Sequence, residues 1–216
     1  MDPTSPSLIR NKAYKTYLAI QERILNQEFK FGERINIDKL SRELSVSNNP
    51  IREALAMLER DGLIDIIPNS GARVIEFTSE TFKELTETLE VLISGGYRLC
   101  VAKGNKDILI AHMRRQLAAQ KAMADSDLPD AEFARAAIKF DECFIKVTGN
   151  ARLIALFDEL MNIFLLASVY DYQHGHSEKR LNISEHQEML EAIESGDDAH
   201  VMRKITNHYN KEILFQ

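Results

Sequence analysis

Ser47, Asn48, Asn49, Pro50 and Arg52 stand together at the front of the stretch SVSNNPIREALAMLERDGLI, residues 45–64. Small polar residues at a helix start let phosphates approach its open backbone N–H groups. Amide and guanidinium side chains match base edges: asparagine suits adenine and arginine suits guanine. The chemistry on offer is therefore nucleic-acid reading by hydrogen bonds. A plain helix cap with a solvated arginine uses the same residue types, and the stretch alone does not separate the two. The neighbouring elements do.

Before it, LIRNKAYKTYLAIQERILNQEF places Leu8, Tyr14, Tyr17, Leu18, Ile24 and Leu25 near one stripe of a helix. KFGER ends that helix, with Gly32 free to take a left-handed turn. NIDKLSRELS reads as a short second helix, burying Ile37, Leu40 and Leu44. After the turn VSNN, PIREALAMLERDG reads as a third helix, with Pro50 in its first turn, Gly62 at its end and Ile51, Ala54, Leu55 and Leu58 as its apolar stripe. LIDIIPN and ARVIEF follow as two short strands joined by NSG, a hairpin. Helix, short helix, turn, helix, hairpin is the order of a winged helix-turn-helix, whose helix after the turn enters the major groove of DNA. With the hairpin in place, the front of the third helix reads as a DNA-facing surface.

After Phe77 the pattern is helical throughout. Thr78 or Ser79 caps a first long helix, and five more are expected near 106–124, 130–147, 151–170, 178–195 and 197–214. Short breaks (DSDLPD, TGN, DYQHGH, SGD) make this an antiparallel six-helix bundle. The fold expected is mainly α: a winged helix-turn-helix domain over 1–77 and an all-helical domain over 78–216. Gly95 and Gly96 inside the first bundle helix cost roughly 1 kcal/mol each against alanine, which points to a close backbone approach or a kink.

The chain has 216 residues and a net charge of −6. Residues 1–77 hold 11 basic and 11 acidic residues, and the remainder 16 against 22, so the acidic excess belongs to the second part. This excludes a uniformly basic nucleic-acid coat and points to two jobs. No continuous run of about 18 apolar residues is present, so no membrane span is expected. The start lacks an apolar signal region, and two cysteines make no disulfide framework. A cytoplasmic protein is expected.

The stretch from RILNQEFKFGERI to DGLIDIIPNSGARV resembles the DNA-binding domain of GntR-family regulators, carrying G-x-R-[IL], L-x-x-x-L-x-V-S, P-[IV]-R-E-A-L-x-x-L-x-x-x-G-L-[IV] and a glycine-bearing wing in order. The helical remainder resembles the FadR-type ligand-binding (FCD) domain, in its six-helix VanR-like form, through TGN, EHQEML and NHYNKE. The resemblance implies a homodimeric transcription regulator, a repressor, acting on pseudo-palindromic double-stranded DNA in response to a small-molecule effector. It implies DNA contacts from Arg34 and Arg52 and from the wing at Asn69 and Gly71, beside the donors Ser47, Asn48 and Asn49 that the helix start itself offers. The family's first arginine in S-R-x-P-[IV]-R is Asn48 here, which implies a different operator, weaker binding or both.

The resemblance also implies a metal site. The family's two late histidines match His186 and His208; its earlier histidine falls at Asp141 and its aspartate at Ala137. Asp141, His186 and His208 remain as a two-histidine, one-carboxylate set for a divalent ion such as Zn, Ni, Mn or Fe. An arginine that helps hold carboxylate effectors in the family is absent from LTETLEVLI, where Leu89 and Ile93 stand, so a less polar effector gains ground over a small dicarboxylic acid. Arg98, Arg135 and Arg152 remain as carboxylate partners for an organic acid. His174 and His176 read as a solvated loop, and His112 and His200 as surface. Two other readings stand beside the regulator: a metal-dependent hydrolase using Asp141, His186 and His208, and a DNA-bound interaction protein with a degenerate pocket. No acid–base pair or nucleophile supports the first, and the two changes in the pocket keep the second open.

Overall fold

The computed structural model describes residues 12–68, 70–124, 128–173 and 178–210. The chain divides into two compact units, Met1–Phe77 and Thr78–Gln216.

The first unit contains α1 (Lys12–Leu25), β1 (Arg34–Ile35), α2 (Ile37–Glu43), α3 (Asn48–Arg60), β2 (Ile64–Ile67) and β3 (Gly71–Val74). α3 buries Ile51, Ala54, Leu55 and Leu58, the stripe its 3-4 spacing predicts, and packs against α1, α2 and β2. Each of its larger aliphatic side chains contributes roughly 1.5–3 kcal/mol by leaving water. α1 departs in detail from the expected stripe. Its buried line runs through Ala13, Thr16, Tyr17, Ile20 and Ile24, while Leu18 is 43% exposed. Leu25, also expected on the stripe, is buried at the end of α1, while Leu18 sits about 100° around the helix from Tyr17. Leu8 lies outside the described residues. The Tyr17 hydroxyl donates to Asp61 at 2.6 Å, tying α1 to the end of α3.

The hairpin β2–β3 pairs antiparallel with Ile64 opposite Val74 and Ile67 opposite Gly71. The sequence pattern missed β1, which pairs with β3 (Arg34 opposite Arg73, Ile35 opposite Ala72) and gives the sheet order β1-β3-β2. Two residues are too few to show an alternation.

The second unit contains α4 (Ser79–Ala102), α5 (Lys106–Met123), α6 (Asp130–Lys146), α7 (Ala151–Gln173), α8 (Lys179–Ser195) and α9 (Asp198–Tyr209). Thr78 is the cap of α4. Its hydroxyl accepts from the Thr81 N–H, and its own N–H donates to the Thr81 hydroxyl. α6 is central: it packs on α4, α5, α7 and α8 and buries residues around most of its circumference, among them Phe140, Asp141 and Phe144. The glycine pair of α4 has a close-approach role. A Cβ on Gly96 would lie 2.6 Å from the Phe144 carbonyl oxygen, whereas one on Gly95 would meet nothing within 4 Å. Gly96 lets α4 close onto α6.

α7 bears on the expectation that no segment spans a membrane. No unbroken apolar run marks it, yet its 23 residues contain an 18-residue window of mean hydropathy 1.7, long and apolar enough to cross a membrane by length and composition alone. It also carries Arg152, Asp158, Glu159 and Asp171, and it packs on α6 with Phe157, Leu165, Leu166, Ala167 and Val169 buried. Those contacts pack one side of α7 into this unit, with 28% of that window buried.

Candidate DNA-facing surface and candidate metal centre

In the first unit, Arg34, Arg52 and Gly71 line one open groove of about 430 Å³ together with Ile35, Asn36, Ile37 and Asp38. Three of the residues singled out in the sequence thus meet, from β1, α3 and β3. Gly71 has φ +85°, a backbone that favours glycine, and the Arg34 guanidinium lies 3.6 Å from where its Cβ would be. Ser47 precedes α3 with extended backbone, and its side chain makes no capping bond. Its hydroxyl is not the cap of the helix, and it is exposed.

Asn48 and Asn49 are exposed, each held by a carboxylate. Asn48 Nδ2 donates to Asp38 at 3.0 Å, and Asn49 Nδ2 donates to Glu53 at 2.8 Å. Asn69 lies outside the described residues. Sequence reasoning missed Arg73, an exposed arginine paired across strands with Arg34 and donating to the Gly32 carbonyl. The alternation in GARV was its available signal. It also missed Asp38, whose link to Asn48 crosses the turn between two helices.

In the second unit, Asp141 of α6, His186 of α8 and His208 of α9 offer ligand atoms that all lie within 4.8 Å of one another. Asp141 and His186 are almost wholly buried. His186 Nε2 faces Asp141 Oδ1 at 3.8 Å. The tautomer of His186 follows from its other nitrogen. Gln120 donates its amide N–H to Asn182, so its carbonyl oxygen faces His186 Nδ1 at 2.8 Å and accepts from it. Nε2 then carries the lone pair. His208 Nδ1 lies 2.7 Å from Glu185 Oε2, and a carboxylate only accepts, which leaves Nε2 of His208 as the ligand atom. The His186 ring stacks on Phe140 at 4.1 Å, which fixes its plane.

Asp141 supplies the test of fit. Its Oδ1 is buried with no hydrogen-bond partner among the described residues. Burial pushes its carboxyl up to about 6, His208 and then the Tyr209 hydroxyl draw it down, and Glu185 raises it. A buried carboxylate oxygen facing imidazole nitrogens, with both rings oriented from behind, fits a divalent cation. Gln120, Asn182 and Glu185 were invisible in sequence because nothing local marks an orienting partner; Gln120 is 66 residues from His186.

The cavity beside this cluster measures about 60 Å³ and is lined by Ala137, Asp141, Asp171, Asn182, His208 and Tyr209, with Phe82, Phe164 and Tyr172 among the rest. Ala137 borders the same space as Asp141, one turn away. Arg98 and Arg135 are not brought to it. Arg98 lines a separate apolar groove with Tyr97, Val101 and Met202, and Arg135 is partly exposed beside Glu132. Leu89 and Ile93 are fully buried core residues. His112 is exposed, His200 is half-buried, and His174 and His176 lie outside the described residues.

Residues 12–74 match the bacterial regulatory proteins of the gntR family, and residues 84–211 match the FCD domain. The chain is 24% identical over 196 residues to the uncharacterized HTH-type transcriptional regulator YdhC of Bacillus subtilis, covering 91% of this chain and 87% of that protein. It is 25% identical to the transcriptional repressor NanR of Salmonella schwarzengrund, covering 88% and 79%. A solved structure described as a putative transcriptional regulator GntR from Rhodococcus sp. RHA1 superposes with TM-score 0.71 at 17% identity, covering 92% and 94%. With its helix-turn-helix unit and its FCD unit both accounted for, the chain belongs to the gntR family of bacterial regulatory proteins: it is a DNA-binding transcriptional regulator, not an enzyme.

Proposed function

We propose that this regulator is an effector-controlled repressor whose second unit holds a divalent metal through Asp141, His186 and His208. The observation that carries the reading is the convergence of three ligand atoms from three helices within 4.8 Å. Zn, Ni, Mn or Fe suits two imidazoles and one carboxylate, and fewer than four protein ligands leaves room for an effector atom on the ion.

The cavity constrains the effector. The cavity measures about 60 Å³, so it favours a small effector group. Its lining includes Asp141 and Asp171 and, among the described residues, no lysine or arginine. An organic acid is held there through the metal's charge and not through Arg98 or Arg135. An effector that binds the two states of the regulator unequally shifts its hold on DNA.

The DNA-reading set is Arg34, Ser47, Asn48, Asn49, Arg52, Asn69 and Gly71. A homodimer on a pseudo-palindrome would place two α3 helices in half-sites about one helical turn apart. The incompletely covered apolar side of α7, where Leu156 is 53% exposed, supports a second copy as its cover. The protein works in the cytoplasm, where its operator is. The relatives named as repressors, NanR among them, support the sign of regulation.

The test is metal analysis of untagged protein before and after EDTA, with His208→Ala as the control. About one metal per chain, lost in the variant, supports the site. Metal-free protein that folds and binds DNA normally favours the second reading, a metal-independent regulator whose pocket lost its function when alanine came to stand at 137.

A further inference from the structure

We propose that Asp38 is a positioning residue for DNA reading: its carboxylate locks the Asn48 amide in the orientation that accepts adenine and opposes guanine. The inference rests on the reading that the front of α3 faces DNA. Asn48 Nδ2 donates to Asp38 Oδ1 at 3.0 Å, from α3 back to the first turn of α2. An amide has two faces to offer, a carbonyl oxygen and an NH₂ group, and a carboxylate can meet only the second. The hydrogen bond therefore decides which way the amide points. One N–H is spent on Asp38, and the carbonyl oxygen and the second N–H remain.

That remainder is the complement of an adenine edge, which presents an acceptor at N7 and a donor at N6. Guanine presents acceptors at both N7 and O6, so the fixed carbonyl oxygen would face O6, oxygen against oxygen. An amide free to rotate could turn its NH₂ to guanine instead. Asn49 is oriented in the same manner by Glu53 at 2.8 Å, so both amides at the front of α3 are directed by carboxylates. Asp38 also lines the groove that holds Arg34 and Arg52. A negative charge there opposes phosphate binding in general, which separates its effect on affinity from its effect on base choice.

The experiment uses the full-length protein. Bound sequences are selected from a random duplex pool, and Asn48→Ala locates the base pair that depends on Asn48. Dissociation constants are then measured by fluorescence anisotropy at one salt concentration, on the selected duplex and on its adenine-to-guanine variant at that position. Asp38→Ala is expected to lower adenine-over-guanine discrimination about tenfold while affinity for unrelated DNA stays level or rises. Asp38→Asn, whose amide oxygen still accepts from Asn48, is expected to keep the discrimination. Wild-type discrimination in Asp38→Ala overturns the proposal, as does equal loss in Asp38→Asn. A selected sequence left unchanged by Asn48→Ala overturns the reading beneath it, whatever Asp38 does. Unchanged thermal midpoints in the Asp38 variants exclude misfolding as the cause.

Discussion

The front of α3 and the Asp141–His186–His208 cluster are both built from polar side chains, yet they are assembled in opposite ways. At the front of α3 the candidate DNA-reading residues are near neighbours in the chain, exposed, and joined to carboxylates four or ten residues away. In the second unit the three ligand residues come from three helices, and two of them are almost fully enclosed. The orienting glutamine comes from a fourth helix, 66 residues from the histidine it holds. Water screens charges at an exposed surface, so coupling there is confined to direct partners such as Asp38 with Asn48 and Glu53 with Asn49. A buried cluster leaves charge without solvent, so each member depends on all the others. Substitutions should therefore act as graded losses in the first region and as coupled losses in the second.

The largest expected effect concerns Asp141 in metal-free protein. Burial raises its carboxyl in the folded state from 3.8 to about 6. Folding therefore favours the protonated form, and the stability present below pH 4 is lost as pH rises through 6. The loss reaches roughly 3 kcal/mol. Denaturant midpoints recorded in EDTA between pH 4 and 7.5 should fall with pH, and Asp141→Asn should flatten the curve. Bound metal should reverse the sign, because it requires the carboxylate.

Next comes packing beneath the cluster. Gly96→Ala places a methyl group 2.6 Å from the Phe144 carbonyl, so α4 and α6 must move apart at a cost of about 1–3 kcal/mol. The same change at Gly95, with nothing within 4 Å, should stabilise the helix slightly. Thermal unfolding of the pair reads the contrast.

At the DNA-facing surface Arg52→Ala should cost about 1–3 kcal/mol in operator affinity, with little change in stability because the side chain is exposed. If Arg52 meets phosphate, the salt dependence of binding should weaken by about one counterion. If it meets a base, selectivity should relax at one position. Anisotropy titrations at several salt concentrations separate the two.

The smallest effect is at Ser47. Its side chain makes no capping bond, so Ser47→Ala should change stability by less than about 0.5 kcal/mol. Asn36→Ala removes an observed cap on the Lys39 N–H and should cost about 1 kcal/mol. A Ser47 variant that loses DNA affinity with unchanged stability would place the hydroxyl on the DNA side of the comparison.

Local pattern reached far in the first unit. Ile51, Ala54, Leu55 and Leu58 were legible as the buried face of α3 because helical periodicity is written in consecutive residues. The hairpin was legible because apolar strand residues flank a glycine turn. The histidines at 186 and 208 and the aspartate at 141 were found only through resemblance to a family, since an isolated histidine on a helix carries no mark of its purpose. Arg98 and Arg135 were named as carboxylate partners by charge alone, with no direction legible in sequence; Arg98 lines a separate groove and Arg135 lies beside Glu132.

The sequence by itself determined the helices and the hairpin, their order, the face α3 buries and the family they belong to, because those depend on periodicity and short motifs; it did not show β1 or the full buried face of α1. Tertiary structure alone decided that Gly96 and not Gly95 closes α4 on α6, and that Gln120 and Glu185 fix the tautomers of two histidines. It also decided that a carboxylate on α2 holds the amide of Asn48. The physical reason is direction: a hydrogen bond or a close contact depends on where a side chain points relative to a distant backbone, and no local spacing encodes that.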